Sequence, residues 1–175
     1  MATRCLRLAD SSIWIAFKRI GKLDLLLSMP GIAVARPVLT QLELGWDDLP
    51  ERIERRLAKA AFDVDIDDGL AGTLSDVLQA KQRTQAGHTR GVRLADETDT
   101  VQLAYACVHR DTVALYMRDA QAERLGASVG ARLRTHVQLL EDMIAEGLLS
   151  PEEAAEVMAG LDVHFARGKR PERAQ

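Results

Sequence analysis

Aromatic residues and cysteines are scarce in this chain, and no long apolar run is present. Aromatic side chains make up 4% of the 175 residues, so we expect a core built mainly from Leu, Ile, Val and Ala. The two cysteines, Cys5 and Cys107, form no CxxC pair, and their apolar neighbours predict buried thiols in a reducing compartment. Without a signal-length segment or the roughly 20 apolar residues of a membrane span, we expect a cytoplasmic protein with no membrane contact.

Several common catalytic motifs are also absent. The sequence has no Walker phosphate loop, no GxGxxG and no GxSxG nucleophile motif. Phosphotransferases of the haloacid dehalogenase type require a second Asp two positions after the first. Ser12 stands two positions after Asp10, which argues against that class. The net charge of -3 argues against binding nucleic acid by bulk charge alone. Four histidines lack zinc-site spacing and are expected at the surface or half-buried: His88, His109, His136 and His164.

The composition is that of a soluble globular protein, with 47% hydrophobic and 28% charged residues. Apolar runs that suit strands alternate with stretches of helical spacing, which predicts a three-layer α/β/α sandwich around a mostly parallel sheet. Residues 1–166 are expected to form a single domain, and residues 167–175 a basic flexible tail. Strands are predicted at 4–9, 32–35 and 113–117. Helices are predicted at 13–20, 23–27, 37–43, 120–125 (ended by Gly126) and 133–149. One further helix is capped by Asp96 or Thr98 and carries the apolar residues of 101–108, and the last has the capping pattern 150–153 at its start and the apolar stripe of 157–165.

Segment 46–95 is harder to interpret. Apolar spacing predicts a helix at 51–61 and another through Leu70, Leu74 and Val77 or Leu78. Alternation at 63–67 predicts an edge strand. The polar stretch 82–93 contains two glycines and is expected to be a mobile loop.

Four acidic residues stand where a parallel sheet would bring them to one edge. Asp10 follows the first strand and Asp119 follows strand 113–117, so central parallel strands would release both carboxylates at the same edge. Glu43 lies about two turns into a helix, and Asp99 lies in the first turn of another. Converging carboxylates repel one another, and a divalent cation relieves that repulsion. Oxygen ligands favour Mg²⁺ or Mn²⁺, and such a site suits phosphodiester hydrolysis.

The same residues also fit structural roles. Asp10 and Asp119 fit the N-caps of helices, and Glu43 fits a solvated helix surface. Asp96 and Glu97 compete with Asp99 for the third acidic position. Asp99 is preferred because it directly precedes the apolar part of its helix.

Four segments resemble, in their order along the chain, the motifs of PIN-domain ribonucleases. Residues 8–15 (LADSSIWI) resemble the opening motif, a strand that ends in Asp before an apolar helix. Residues 37–44 (PVLTQLEL) resemble the second motif, a Pro-initiated helix with a metal-binding Glu. Residues 99–106 (DTVQLAYA) resemble the third, an Asp that starts an alanine-rich helix, and residues 115–119 (LYMRD) resemble the fourth, a buried strand that runs into Asp. The stretch 122–153 is similar to a bacterial and archaeal PIN subgroup.

This resemblance implies a metal-dependent endoribonuclease. Asp10, Asp99 and Asp119 would hold Mg²⁺ or Mn²⁺, Glu43 would complete the site or orient the attacking water, and Ser12 would supply a supporting hydroxyl. The family forms a 5′-phosphate and a 3′-hydroxyl from RNA. It also suggests the toxin of a toxin–antitoxin pair, a homodimer inhibited by a small antitoxin protein.

Two departures from the family pattern support an alternative function. PIN domains commonly have Thr or Ser where Met117 stands, and segment 46–95 has no counterpart. A non-catalytic PIN-like protein-interaction module is therefore the alternative.

Basic residues near the predicted site would guide RNA toward it. Each of them also fits an ordinary solvated surface, and Trp14 is expected in the core rather than as a platform for stacking bases. The candidates are Lys18, Arg36, Arg118 and Arg124, with Arg167, Lys169, Arg170 and Arg173 of the tail.

Overall fold

The computed structural model describes residues 5–43, 68–85, 97–118 and 126–167, without some side chains beside the gaps, those of Glu43 and Asp99 among them. Strands and helices alternate over much of this length, as the sequence predicts. The strands are β1 (Leu6–Ala9), β2 (Ile32–Ala33), β3 (Val113–Tyr116) and β4 (Leu133–Arg134). The helices are α1 (Ser11–Arg19), α2 (Leu23–Ser28), α3 (Arg36–Glu43), α4 (Asp68–Gln85), α5 (Glu97–Val108), α6 (His136–Ala145) and α7 (Pro151–Arg167).

The four strands form one sheet in the order β2-β1-β3-β4, and every neighbouring pair is parallel. Leu8 of β1 lies between Ala33 of β2 and Leu115 of β3, and Leu115 pairs in turn with Leu133 of β4. The two central strands, β1 and β3, therefore end at the same edge of the sheet, which we call the carboxyl edge. The predicted α/β class with a parallel sheet is confirmed.

Buried apolar side chains cover both faces of the sheet. In β3 and the residue after it, Ala114 and Tyr116 belong to the cluster on one face, whereas Val113, Leu115 and Met117 belong to the cluster on the other. Helices α1, α2, α3, α6 and α7 supply the first cluster, and α4 and α5 supply the second. The continuous apolar run of β3 is thus explained by burial on both sides, and the arrangement is compatible with an α/β sandwich.

Side-chain hydrogen bonds fix where the last two helices begin. Thr135 and Gln138 form a capping box at the start of α6. Ser150 and Glu153 do the same for α7, as predicted: the Ser150 N–H donates to Glu153 Oε2 at 2.8 Å, and the Glu153 N–H donates to Ser150 Oγ at 3.2 Å. The predicted apolar stripe of α7 is buried and comprises Val157, Leu161 and Phe165.

The predicted helix at 133–149 is wrong at its start. Its first two residues form β4, and the helix begins only at His136. The Met117 N–H donates to the Arg134 carbonyl oxygen at 3.0 Å, so pairing with β3 overrides the helical spacing. Val137, which belongs to the predicted buried stripe, is 43% exposed.

Two expectations about loops and helix ends are corrected. Residues 126–129 are helical, so Gly126 does not end a helix. A Cβ on Gly126 would lie 2.1 Å from Leu133 Cδ1 and 3.1 Å from Leu103 Cδ2, so close packing explains this glycine. Helix α4 continues to Gln85, because the Gln and Arg residues at the start of the predicted loop 82–93 favour helix.

Other expectations fall outside the described residues or at their limit. Helix α7 includes Arg167, the first residue of the predicted tail. The segments outside the description are the predicted helices 51–61 and 120–125, the strand 63–67, the loop residues 86–93 and the tail residues 168–175.

The cysteines are free thiols, but both are partly rather than fully buried. The Cys107 thiol donates to the Val129 carbonyl oxygen at 2.9 Å. Trp14 is fully buried and its indole N–H donates to the Ala9 carbonyl oxygen at 3.1 Å, so its predicted place in the core is confirmed. None of the helices described combines the length and the apolar character that a membrane crossing requires.

Replacing Gly31 is expected to destabilise the junction of β1 and β2. Gly31 has φ +74°, and a Cβ there would lie 2.5 Å from the Cys5 carbonyl oxygen, a backbone atom of the neighbouring segment. We expect Gly31→Ala to lower the free energy of unfolding by about 1–3 kcal/mol, measured by urea denaturation.

Gly72→Ala is the matched control. Gly72 lies exposed in α4, and an added Cβ would meet no described atom within 4 Å. This substitution should raise the free energy of unfolding by about 0.5–1 kcal/mol, since alanine favours helix over glycine. Equal effects at the two glycines would contradict the close approach at Gly31.

Candidate active site

Asp10 is a buried carboxylate at the carboxyl edge, where β1 passes into α1. Its side chain is 4% exposed and caps α1, because Oδ1 accepts the Ile13 N–H at 3.0 Å. The Ser12 hydroxyl donates to the same oxygen at 2.8 Å. The N-cap interpretation of Asp10 is therefore confirmed. The cap does not exclude a second role, and these two hydrogen bonds hold the carboxylate in one orientation.

Asp10 lies directly beside the end of β3. Its N–H donates to the Tyr116 carbonyl oxygen at 3.0 Å, which extends the pairing of the two central strands by one residue. The Tyr116 hydroxyl donates to Asp142 Oδ2 at 2.5 Å, and Arg134 donates to Asp142 Oδ1 at 2.7 Å. Burial, and then the hydrogen bond to Asp142, raise the pKa of Tyr116, so this phenol stays protonated and ties the sheet to α6.

The residues just beyond β3 point to opposite faces of the sheet. Met117 is fully buried in the cluster with α4 and α5, so its side chain offers no polar contact at the edge. Arg118 follows on the other face and lies against Phe165 of α7. Asp119, the next residue, lies outside the described part of the chain.

The backbone brings the helices of Glu43 and Asp99 into one group with α1. Helix α5 packs against β3 and ends at Val108, where a short turn leads into the amino end of β3. It therefore runs back along the sheet, and its first turn, with Asp99, lies toward the carboxyl edge. Helix α3 ends at Glu43 and contacts both α1, which Asp10 caps, and α5.

The meeting of all four acidic side chains stays a prediction. Within 5–43, 68–85, 97–118 and 126–167, no group of three His, Cys, Asp or Glu side chains is placed to hold a metal ion. Of the four predicted carboxylates, only that of Asp10 belongs to the described side chains. Those of Glu43, Asp99 and Asp119 do not, and neither do the competing Asp96 and Glu97.

Gln102 is a buried amide that is not among the predicted site residues. Its side chain is fully buried, and neither Nε2 nor Oε1 has a hydrogen-bond partner in the described part of the chain. It lies one turn after Asp99 on α5, and helical side chains lean toward the N-terminus, here toward the carboxyl edge. The sequence signal for it is a lone amide within the otherwise apolar run Val101–Ala106.

The predicted RNA-guiding residues occupy different positions around the sheet. Arg36 is the exposed first residue of α3, just beyond β2, and Arg118 lies at the end of β3. Lys18 lies in the last turn of α1, roughly 12 Å along the helix from Asp10. Of the three, Arg36 and Arg118 are therefore the better placed for a ligand at the carboxyl edge.

Asp10 and Gln102 carry the oxygen ligands that suit a hard divalent cation. The carboxylate of Asp10 is oriented by neutral donors, and the amide of Gln102 has hydrogen-bonding capacity that the described chain does not use. Carboxylate and amide oxygens are ligands that Mg²⁺ and Mn²⁺ prefer over the nitrogen and sulfur ligands common at zinc. A cation held there would favour chemistry on phosphate oxygens.

Comparison with models of known protein families found no match, and comparison with characterised proteins found none either.

Gln102→Met is expected to stabilise the metal-free protein. A buried amide without partners costs about 1–3 kcal/mol, and Met fills a similar volume without polar atoms. The free energy of unfolding in EDTA should therefore rise by about 1 kcal/mol in urea denaturation.

Gln138→Met is the contrasting variant, because the Gln138 side chain accepts the Thr135 N–H at 2.9 Å. The free energy of unfolding of this variant should fall by about 0.5–1 kcal/mol. A fall in stability for Gln102→Met of the same size would show that Gln102 has a structural partner.

Proposed function

We propose that this protein is a metal-dependent endoribonuclease of the PIN type, which hydrolyses RNA at the carboxyl edge of its sheet. The observation that carries the proposal is the buried, preoriented carboxylate of Asp10 beside the end of β3. Ligands of open parallel sheets bind beyond the carboxyl ends of the strands, so this carboxylate lies where a substrate is expected.

The positions of the other acidic residues support the same edge. Asp99 lies in the first turn of α5, and the helix that ends at Glu43 contacts both α1 and α5. Asp119 is the next residue in the sequence after Arg118, which is the second residue after β3. In the proposed site Asp10, Asp99 and Asp119 hold the cation, and Glu43 completes the set or orients the attacking water.

The chain's own groups would divide the work of hydrolysis. Ser12 and the Ile13 N–H keep the Asp10 carboxylate in one orientation, so the carboxylate does not have to reorient during the reaction. When bound, Mg²⁺ or Mn²⁺ supplies an activated water and offsets charge on the phosphate. The proposed products are a 5′-phosphate and a 3′-hydroxyl. A role as the toxin of a toxin–antitoxin pair, dimeric and inhibited by a small antitoxin, rests on the sequence resemblance.

The purified protein is expected to cleave single-stranded RNA with Mn²⁺ and not with EDTA. Asp10→Asn should lower the rate by about 100-fold or more, since even groups that only orient metal ligands contribute 10–100-fold. The variant should fold, because asparagine also caps helices and keeps an oxygen for the Ile13 N–H. Cleavage is measured on a labelled RNA by gel electrophoresis, and metal binding by calorimetric titration.

Asp111→Asn is the matched control, because Asp111 is exposed in the turn before β3, at the opposite edge of the sheet. It should cleave as the wild type does. Cleavage that persists in Asp10→Asn would indicate a contaminating nuclease. Absence of both cleavage and Mn²⁺ binding in the wild type would overturn the proposal and favour the non-catalytic interaction module.

A further inference from the structure

One arginine and two histidines surround the buried aromatic ring of Phe165. This ring is 5% exposed, near the end of α7. The Arg118 guanidinium stacks over it at 3.9 Å from the ring centroid and donates to the Phe165 carbonyl oxygen at 3.4 Å. The rings of His136 and His164 approach it at centroid distances of 5.1 and 5.2 Å. We call Arg118, His136, His164 and Phe165 the Phe165 cluster.

The Phe165 cluster lies at the carboxyl edge. Arg118 is the second residue after β3, and His136 is the second residue after β4, the parallel neighbour of β3. His136 is also the first residue of α6, whose N-terminal end favours anions. Asp10 lies at the end of β1, on the other side of β3. The cluster and the proposed cleavage site are therefore side by side.

The three basic side chains around the ring reach the protein surface. Arg118, His136 and His164 are all partly exposed, whereas the ring beneath them is buried. His136 Nδ1 is buried and has no hydrogen-bond partner in the residues that the structure describes. A ligand would therefore contact the exposed part of the His136 ring rather than this nitrogen.

The charges around the histidines favour an anion as that ligand. Burial and then Arg118 lower the pKa of His136, while Asp162 on α7 opposes them. Burial, Arg19 at the end of α1 and Arg118 lower the pKa of His164. A bound anion would reverse these shifts, because it attracts the protonated imidazoles and relieves their repulsion from the arginines.

We propose that the Phe165 cluster binds the phosphodiester backbone of the RNA substrate next to the cleaved bond. This inference rests on the proposed ribonuclease function. Arginine matches the two oxygens of a phosphate with paired N–H donors, and the stacked ring holds the guanidinium in place. The protonated histidines add donors on either side of it.

Binding of RNA is then linked to protons. In the free protein the pKa values of both histidines are lowered from the ordinary imidazole value, and the anion would raise them in the complex. The dissociation constant for RNA should therefore fall as the pH is lowered from 8 through the pKa values of the bound histidines, and level off below those of the free ones.

The test is the binding of a fluorescein-labelled single-stranded RNA, followed by fluorescence anisotropy in EDTA, where hydrolysis is prevented. Arg118→Gln should weaken binding about three- to tenfold and lower the slope of log K against log salt by about 0.7, the value for one phosphate contact on a single strand. Arg118→Lys keeps the positive charge and should retain most of the salt slope. It therefore shows whether the effect of Arg118→Gln comes from the lost charge or from a folding defect.

The double variant His136→Gln/His164→Gln should bind RNA as the wild type does at pH 8 but lose the tightening, at least about threefold, that the wild type shows at pH 5.5. Arg110→Gln and His109→Gln are the controls, since both residues are exposed in the turn that leads into the amino end of β3. They should change neither the salt slope nor the pH dependence.

The outcomes separate this inference from the function on which it rests. RNA binding whose salt slope and pH dependence are unchanged in all cluster variants would overturn the Phe165 cluster as a phosphate site, while leaving the nuclease proposal intact. A wild-type protein that neither binds nor cleaves RNA would overturn both. Cleavage lost in Asp10→Asn with RNA binding retained would support the two sites as separate parts of one surface.

Discussion

The parallel pairing of β1 with β3 is the constraint on which the rest of this molecule depends. Their register brings Leu8 beside Leu115, and the hydrogen bond from the Asp10 N–H to the Tyr116 carbonyl oxygen continues it past both strand ends. Because the strands run the same way, the chain leaves both at one edge. Asp10 and Arg118 therefore lie just beyond the ends of two neighbouring strands, at the same edge of the sheet.

Opposite charges at one edge suit the recognition of a phosphodiester better than either charge alone. In the proposed function, the buried carboxylate of Asp10 would attract a cation, and Arg118 and the histidines beside Phe165 would attract the RNA on which that cation acts. The chain as a whole has a net charge of -3, so attraction of RNA has to be local.

Much of the central fold follows from patterns that a sequence displays directly. The run Val113–Met117 is apolar at every position because it is buried on both faces, and Asp10 after Ala9 signals both a strand end and a helix cap. The two-residue strand β4 gives no such pattern, since its pairing with β3 is a tertiary interaction. Likewise, spacing identifies Asp99 as an acid at a helix start but does not show that Gln102 lacks a partner among the described residues, because that depends on packing.

The shortness of the outer strands has a consequence for association with other chains. In the described part of the sheet, β2 and β4 form the two edges, and each is only two residues long. An exposed strand edge recruits foreign strands through its row of unpaired amides and carbonyls, and two residues give such a row almost no length. Strand β3, which has four residues and is apolar throughout, lies inside the sheet between β1 and β4. The strand order therefore keeps this apolar segment away from both edges of the described sheet.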